Sequence, residues 1–298
     1  MRMRSLFTVL AALAAALSFA AAAPAGVVYN GASSGAGVNP NTTYEWLDAA
    51  TAGGKTVTTG AANTNGGYAI IGTSTHDYSA ITLLFSQAAS ASNRYLCILS
   101  IDGGSTALTP PIFVNQNNTS GYFRINLPLA ISSGAQFAMK CQSSAATSTL
   151  KIIVVGTVKT ATGAPGFSVM EALTTADTSA TLPSTTPSIS LTSGLWVAIA
   201  TSSQAYGAVL CIIGNTATAP TGTADDYSAL LGTGAAGSEV AVMEGGLFVS
   251  TSSPTIGRGA LPLVETSFPT STPFSVKLTQ PGSNITAGNA LAQIFGFR

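Results

Sequence analysis

Charge is what this chain has least of. Eleven Lys+Arg and eleven Asp+Glu are spread over 298 residues, so 7% of positions are charged, against roughly 25% in an ordinary soluble domain. No basic excess exists to displace counterions from phosphates, which excludes nucleic acid as a partner bound by charge. Histidine occurs once, at His76, and cysteine three times. That leaves little material for acid–base, nucleophilic or metal chemistry. Sustained helical periodicity is missing beyond the N-terminus, and no later apolar run is long and unbroken enough to span a bilayer. What is plentiful is apolar: 46% of residues are hydrophobic, which rules out intrinsic disorder and supplies material for a core.

The first 25 residues stand apart. Met1-Arg2-Met3-Arg4 precedes an apolar, alanine-rich run that ends in small residues, the pattern of a secretory signal peptide. Ala23-Pro24-Ala25 fits the cleavage rule, with Ser18-Phe19-Ala20 as a second site. The competing reading is a retained apolar segment that anchors the chain in an assembly or membrane. Cys97, Cys141 and Cys211 lack C-x-x-C spacing, and each lies in an apolar or strand-like run. They read as small buried hydrophobes, with a Cys97–Cys141 bridge as the alternative in an oxidising compartment.

The most informative feature is an internal repeat. Thr73-Ser74-Thr75-His76-Asp77-Tyr78-Ser79-Ala80-Ile81 aligns without a gap with Thr201-Ser202-Ser203-Gln204-Ala205-Tyr206-Gly207-Ala208-Val209. Leu127-Pro128-Leu129 recurs as Leu261-Pro262-Leu263. Phe137-Ala138-Met139-Lys140 recurs as Phe274-Ser275-Val276-Lys277, and Val154-Val155-Gly156 as Ile294-Phe295-Gly296. The order is kept while the offset grows along the chain, as expected of a tandem duplication whose second copy has longer loops.

Each copy reads as all-β. In the first, runs rich in Val, Ile, Thr and aromatics are punctuated by Gly, Asn, Ser and Pro, which predicts strands near 54–60, 67–72, 79–87, 94–101, 111–115, 121–127, 135–142 and 148–155. Phe137, Met139 and Cys141 alternate with Ala138, Lys140 and Gln142, the period of a strand with one buried face. A set of strands this size makes a two-sheet sandwich or jelly roll. The expected architecture is two tandem jelly-roll-like β-sandwich domains, 35–158 and 167–298, behind the apolar segment 1–25. The breaker-rich stretch from Lys159 to Gly166 is the linker.

Tests for chemistry assign no catalytic, cofactor or metal residue. Gly232-Thr233-Gly234-Ala235-Ala236-Gly237 spells G-x-G-x-x-G, but valines alternate in strand fashion after it, where a dinucleotide site needs a helix. It reads as a hairpin or sheet-edge loop. A Ser–His–Asp triad would need His76, whose counterpart in the second copy is Gln204; His76 reads as a surface histidine without a partner. Asp225 and Asp226 with Glu239 or Glu244 are paired-carboxylate candidates for glycoside hydrolysis by proximity in sequence alone. Asp225, Asp226 and Asp102 could also offer loop oxygens to Ca²⁺, though solvated turn carboxylates are the simpler reading. Trp46, Tyr68, Trp196 and Tyr206 could stack on sugar rings or serve as repeated core positions. Asn41, Asn117, Asn118 and Asn284 head N-x-[ST] triplets, which a Ser/Thr-rich chain produces by chance.

Ala62-Asn63-Thr64-Asn65-Gly66-Gly67-Tyr68, the turn Gly234-Ala235-Ala236-Gly237-Ser238-Glu239, and the segments FAMKCQSSAATSTLKIIVVG and IFGF resemble β-sandwich modules of virion-associated proteins of tailed bacteriophages. The resemblance spans about 54–156 and 181–297. It implies a non-enzymatic structural or adhesive protein of the virion exterior: a head decoration, spike, fibre or tail component, with no cofactor and no fixed functional residue. The chain departs from that pattern at its N-terminus, because virion proteins assembled in the cytoplasm do not ordinarily carry a cleavable signal. The alternative is a secreted bacterial surface protein, a carbohydrate-binding module or a filament subunit. The expected partners are further copies of the chain, most simply in a trimer or lattice, or other virion proteins, and host surface glycans. Open sheet edges need cover, and Lys55, Lys140, Lys151, Lys159 and Lys277 are the only lysines available to blunt them.

Overall fold

Alternation along the strands becomes two-sided sheets. In β4 (Tyr78–Ser86), Ile81, Leu83 and Phe85 are fully buried while Thr82 and Leu84 on the other face are half-buried. The computed structural model describes residues 44–47, 54–86, 94–115, 123–143, 147–159, 166–174, 188–215, 221–250, 255–257, 260–280, 282 and 284–298. The apolar segment 1–25, most of the linker, and Asn41, Asn117 and Asn118 fall outside those residues.

The first half holds β1 (Tyr44–Leu47), β2 (Lys55–Thr58), β3 (Ala69–Thr73), β4, β5 (Arg94–Ser100), β6 (Ile112–Asn115), β7 (Phe123–Leu127), β8 (Gln136–Ser143) and β9 (Thr149–Val158). Strands β2 to β9 fall where the sequence predicts them. One sheet runs β2-β9-β4-β7, with β1 extending the β2 edge along β9; the other runs β3-β8-β5-β6. All these pairings are antiparallel. Two four-stranded sheets in this interleaved order are the double Greek key of a jelly roll.

The second half holds β10 (Met170–Ala172), β11 (Ser188–Ser190), β12 (Val197–Thr201), β13 (Ala208–Asn215), β14 (Thr221–Gly222), β15 (Asp225–Thr233), β16 (Val240–Ser250), β17 (Thr255–Gly257), β18 (Pro273–Thr279), β19 (Ile285–Ala287) and β20 (Asn289–Phe297). Its pairing order repeats the first. Strand β20 pairs with β10, β11 and β13 as β9 pairs with β1, β2 and β4, and β12-β18-β15-β16 repeats β3-β8-β5-β6. The stretch 260–264 takes the place of β7, joined to β13 by bridges at Val209–Val264 and Ile212–Ala260. Added to the plan are β17 at the sheet edge and the short β14–β19 ladder.

The halves do not share their surfaces equally. The inner face of the β10-β20-β13 sheet, with Val209, Cys211, Ile213 and Ile294, fills the second core. Its outer face, with Met170, Leu210, Ile212, Phe295 and Phe297, belongs to the first core. It lies over the β6 side of the first sandwich. The Phe113 ring rests on Gly214, where an added Cβ would lie 1.8 Å from the ring. The Phe113 amide donates to Gln293 Oε1 at 2.7 Å. Phe167 and the 128–130 stretch exchange backbone hydrogen bonds of 2.7 and 2.8 Å. Part of the chain's apolar residues is thus consumed in a contact between its own two halves.

Cys97 and Cys141 stand opposite each other on β5 and β8 and form a disulfide. This corrects the reading of both as inert hydrophobes. Cys211 is free and buried, and burial pushes its thiol pKa up to about 12, so it remains protonated and unreactive.

Candidate functional site

The polar residues most tightly held form a corner that occurs twice. Glu45 on β1 faces Gly156 on β9, and the Tyr78 ring lies flat over that glycine, leaving no room for a Cβ. The Tyr78 hydroxyl donates to Glu45 Oε2 at 2.6 Å. In the second half Glu171 faces Gly296, Tyr206 covers it, and its hydroxyl donates to Glu171 Oε2 at 2.8 Å. Both rings are buried, so each hydroxyl needs its acceptor. Beside each tyrosine, Ser74 or Ser202 ties the corner to the facing loop: the Ser74 hydroxyl accepts from Ala135 N, and that of Ser202 from Thr272 N.

Burial alone would raise the Glu45 pKa. Hydrogen bonds from Tyr78, then Thr75 and His76, outweigh it and hold the carboxyl at about 2. The resulting stabilisation is in place above the ordinary carboxylate range and is lost as pH falls towards about 2. Glu171 is held low chiefly by Arg298. Burial, then Glu45, pushes the Tyr78 hydroxyl up.

His76 therefore does have a partner, contrary to the sequence reading. Its Nδ1 lies 3.2 Å from Glu45 Oε2 and 2.8 Å from Thr75 Oγ1, with the imidazole exposed at the rim of the corner. Asp77 points elsewhere and accepts from Ser133 N at 2.7 Å. Among the described residues His76 bonds Thr75 and Glu45, neither of them a serine, and Asp77 turns away, so a Ser–His–Asp triad is not assembled there.

The remaining candidates separate. The Gly232–Gly237 run ends β15 and forms the hairpin into β16. Asp102 accepts from Ser100 Oγ and Thr106 N inside its own turn. Those bonds, that of Ser100 first, hold its carboxyl well below the usual range. Asp225 accepts from Gln280 at 2.6 Å and Glu239 from Gly237 N at 2.9 Å. Asp226 and Glu244, by contrast, share a cleft of about 320 Å³ with Ser228, Gly246 and Thr279 on the outer face of the second sandwich. The Ser228 hydroxyl donates to Glu244 at 2.6 Å.

Among the aromatics, Tyr206 is a corner residue. Tyr68 and Trp196 are half-buried, each with a lysine over its ring: Lys140 at 4.7 Å and Lys277 at 6.0 Å from the centroid. Trp46 is different. It is 53% exposed, and Tyr44 two residues away is 38% exposed. Both stand on the outer face of the β2-β9-β4-β7 sheet. A row across four strands runs Trp46, Val155, Thr82, Asn126, and the next runs Ile153, Leu84, Arg124. Asn126 Oδ1 accepts from Thr82 Oγ1 at 2.9 Å and Arg124 Nε at 3.1 Å, which fixes a polar strip at the β7 edge, across the sheet from the aromatic rings. Sequence reasoning weighed Trp46 but missed Tyr44, Arg124 and Asn126. Strand alternation of 44 with 46 and of 124 with 126 was the available signal.

No family model matches this chain, and no curated protein matches it either. Among the solved structures it resembles are the following three. PNGase F, a glycosylasparaginase from Flavobacterium meningosepticum, is 10% identical over 86% of this chain and 96% of its own, with a TM-score of 0.39. The tandem CBM22 domains of Paenibacillus barcinonensis Xyn10C are 11% identical over 86% and 91%, at 0.24. A triple jelly-roll turret protein of an archaeal virus is 15% identical over 82% and 60%, at 0.22.

Proposed function

We propose that the chain is a non-enzymatic structural and adhesive building block of an exterior surface, in the first place the outside of a virion. The observation that carries this reading is the exposed aromatic pair at the β1 edge of the first sandwich. The corresponding face of the second half is buried inside the chain, while Tyr44 and Trp46 stand exposed on the first. Exposed large aromatic rings of this kind mark a contact surface. The Cys97–Cys141 disulfide supports an oxidising location. Glu45 and Glu171 accept hydrogen bonds from the buried Tyr78 and Tyr206 hydroxyls and hold corners of the fold, a use that serves stability rather than turnover.

The test is on native material. Intact particles or cells are treated with an impermeant lysine-labelling reagent, and the chain is recovered for mass spectrometry. Labelling of the intact assembly together with an oxidised Cys97–Cys141 pair is expected. A chain protected from the label and carrying free thiols at 97 and 141 overturns the reading. A second reading, glycan binding by a secreted module, is favoured by the exposed Trp46 and Tyr44 rings, since sugar sites use aromatic stacking faces.

A further inference from the structure

One pair of side chains is kept on the outer sheet face of both halves although much of what surrounds it has changed. Strands β3 and β8 pair Ala69 with Met139, and β12 and β18 pair Val197 with Val276. One residue further along, the same register sets Tyr68 beside Lys140 and Trp196 beside Lys277. The ammonium lies 4.7 Å from the Tyr68 ring centroid in the first half and 6.0 Å from that of Trp196 in the second. Each ring is backed by a glycine: an added Cβ on Gly104 would lie 2.7 Å from Tyr68, and one on Gly232 would lie 2.7 Å from Trp196. At neighbouring outward positions the first half has Leu96, Gln142 and Phe113 where the second has Ser228, Thr279 and Gly246.

The kept pair carries polar groups that the fold leaves unused. No carboxylate among the described residues pairs with Lys140 or Lys277. The Tyr68 hydroxyl and the Trp196 indole N–H make no hydrogen bond among the described residues either. All four side chains are half-buried, so ring and ammonium are held against the sheet yet reach solvent. The acidic groups nearby are engaged. Asp102 accepts from Ser100 and Thr106 inside its own turn. Glu244, two strands from Lys277 through Leu230, accepts from Ser228. An exposed cation–π contact is weak, so the ammonium can turn to an anionic group of a ligand while its stem stays on the ring. An aromatic ring offers a stacking face to a sugar, and a free ammonium beside it selects a sugar that carries negative charge.

Building on the reading of the chain as an adhesive protein of an exterior surface, we infer that each half holds one subsite for an acidic saccharide. The sugar ring stacks on Tyr68 or Trp196, and its carboxylate accepts a charge-assisted hydrogen bond from Lys140 or Lys277. Uronates and sialates share this chemistry. The second subsite is the weaker of the two, because Glu244 lies on its row, whereas the register of the first half continues to the uncharged Pro111.

Isothermal titration calorimetry of the full chain tests this with trigalacturonate and with sialyllactose, each beside its neutral methyl ester. Two sites per chain are expected for at least one of the acidic sugars. The ester should bind little, and about 0.5 M salt should weaken the acid, since screening shortens the reach of charges. Lys140→Gln and Lys277→Gln should each weaken one site at least tenfold, and the double variant should lose both. Lys140→Arg should keep the first site. That retention, with unchanged unfolding midpoints, separates loss of a ligand contact from loss of the fold. Glu244→Gln should tighten the second site. Failure to bind either acidic sugar overturns the subsites, as do equal binding of the methyl ester and a single site per chain. So does binding that survives the double lysine variant and is lost on Trp46→Ala, which moves the glycan to the β1 edge. Any of these found with the native disulfide intact and the chain labelled on the particle leaves the exterior reading standing, whereas free thiols and protection from label overturn that reading itself.

Discussion

The two halves share one strand order yet solve the same packing problems differently. The first half crosses β5 and β8 with the Cys97–Cys141 disulfide; at the matching register the second half pairs Ala229 with Leu278. The first satisfies the buried Tyr95 hydroxyl through Ser148 and Thr149, while Tyr227, at the matching place, makes no hydrogen bond among the described residues. The corner of glutamate, glycine and tyrosine is kept in both. A duplicated fold thus preserves what its backbone geometry demands and varies what side-chain volume or a covalent link can replace.

The disulfide is the largest difference, and copying the second half's solution into the first tests it. Cys97→Ala with Cys141→Leu removes a cross-link spanning 44 residues, which should cost about 2–4 kcal/mol. The guanidinium midpoint of the double variant reads this against the oxidised parent. The reverse graft, Ala229→Cys with Leu278→Cys, should close a second disulfide visible as a loss of two mass units. An unchanged midpoint in the first variant would mean the Ala–Leu pairing is a full substitute and the link is dispensable.

The corner should behave alike in both halves. Gly156→Ala and Gly296→Ala each drive a methyl into a tyrosine ring, 2.3 and 2.4 Å from its nearest carbon. Overpacking of this kind costs about 1–3 kcal/mol. Urea unfolding of the two variants should give losses within about 1 kcal/mol of each other. A large loss at one site and none at the other would show that only one corner supports its sandwich.

The tyrosines sharpen the contrast at a smaller scale. Tyr95→Phe abandons bonds of 2.8 and 3.2 Å and should cost about 1–2 kcal/mol. Tyr227→Phe removes a buried hydroxyl that has no acceptor, whose pKa burial and then Asp225 push up to about 12. It should be neutral or stabilising by up to about 1 kcal/mol. Equal costs at the two positions would mean that Tyr227 gains a partner in solution.

Much of the fold was legible because strands announce themselves by alternation and by their punctuation. The repeat could be read because backbone-dictated residues such as Tyr78, Gly156 and their counterparts survived. Strand β1 was missed because Tyr-Glu-Trp-Leu is too short to alternate and only Leu47 is buried. The interface between halves was missed although a signal existed. Val209 to Ile213 is continuously apolar, the mark of a strand buried on both faces, whereas the corresponding stretch from Ile81 includes Thr82. Glu45 gave no local signal at all, since its partners Thr75, His76 and Tyr78 lie about 30 residues away.

His76 marks the smallest difference between the corners. The first half sets His76 and Thr75 around Glu45; the second has Gln204 and Ser203 in those positions and satisfies Glu171 with Arg298. The imidazole is exposed, and an exposed pair contributes about 0–1 kcal/mol. Tyr78 and the Thr75 amide and hydroxyl remain on the carboxylate when the ring is gone. His76→Gln, which copies the second half, should therefore change stability by no more than about 0.5 kcal/mol. Urea midpoints at pH 5.5 and pH 8 provide the check. A loss above about 1 kcal/mol at either pH would make His76 a structural part of the corner and remove the equivalence with Gln204.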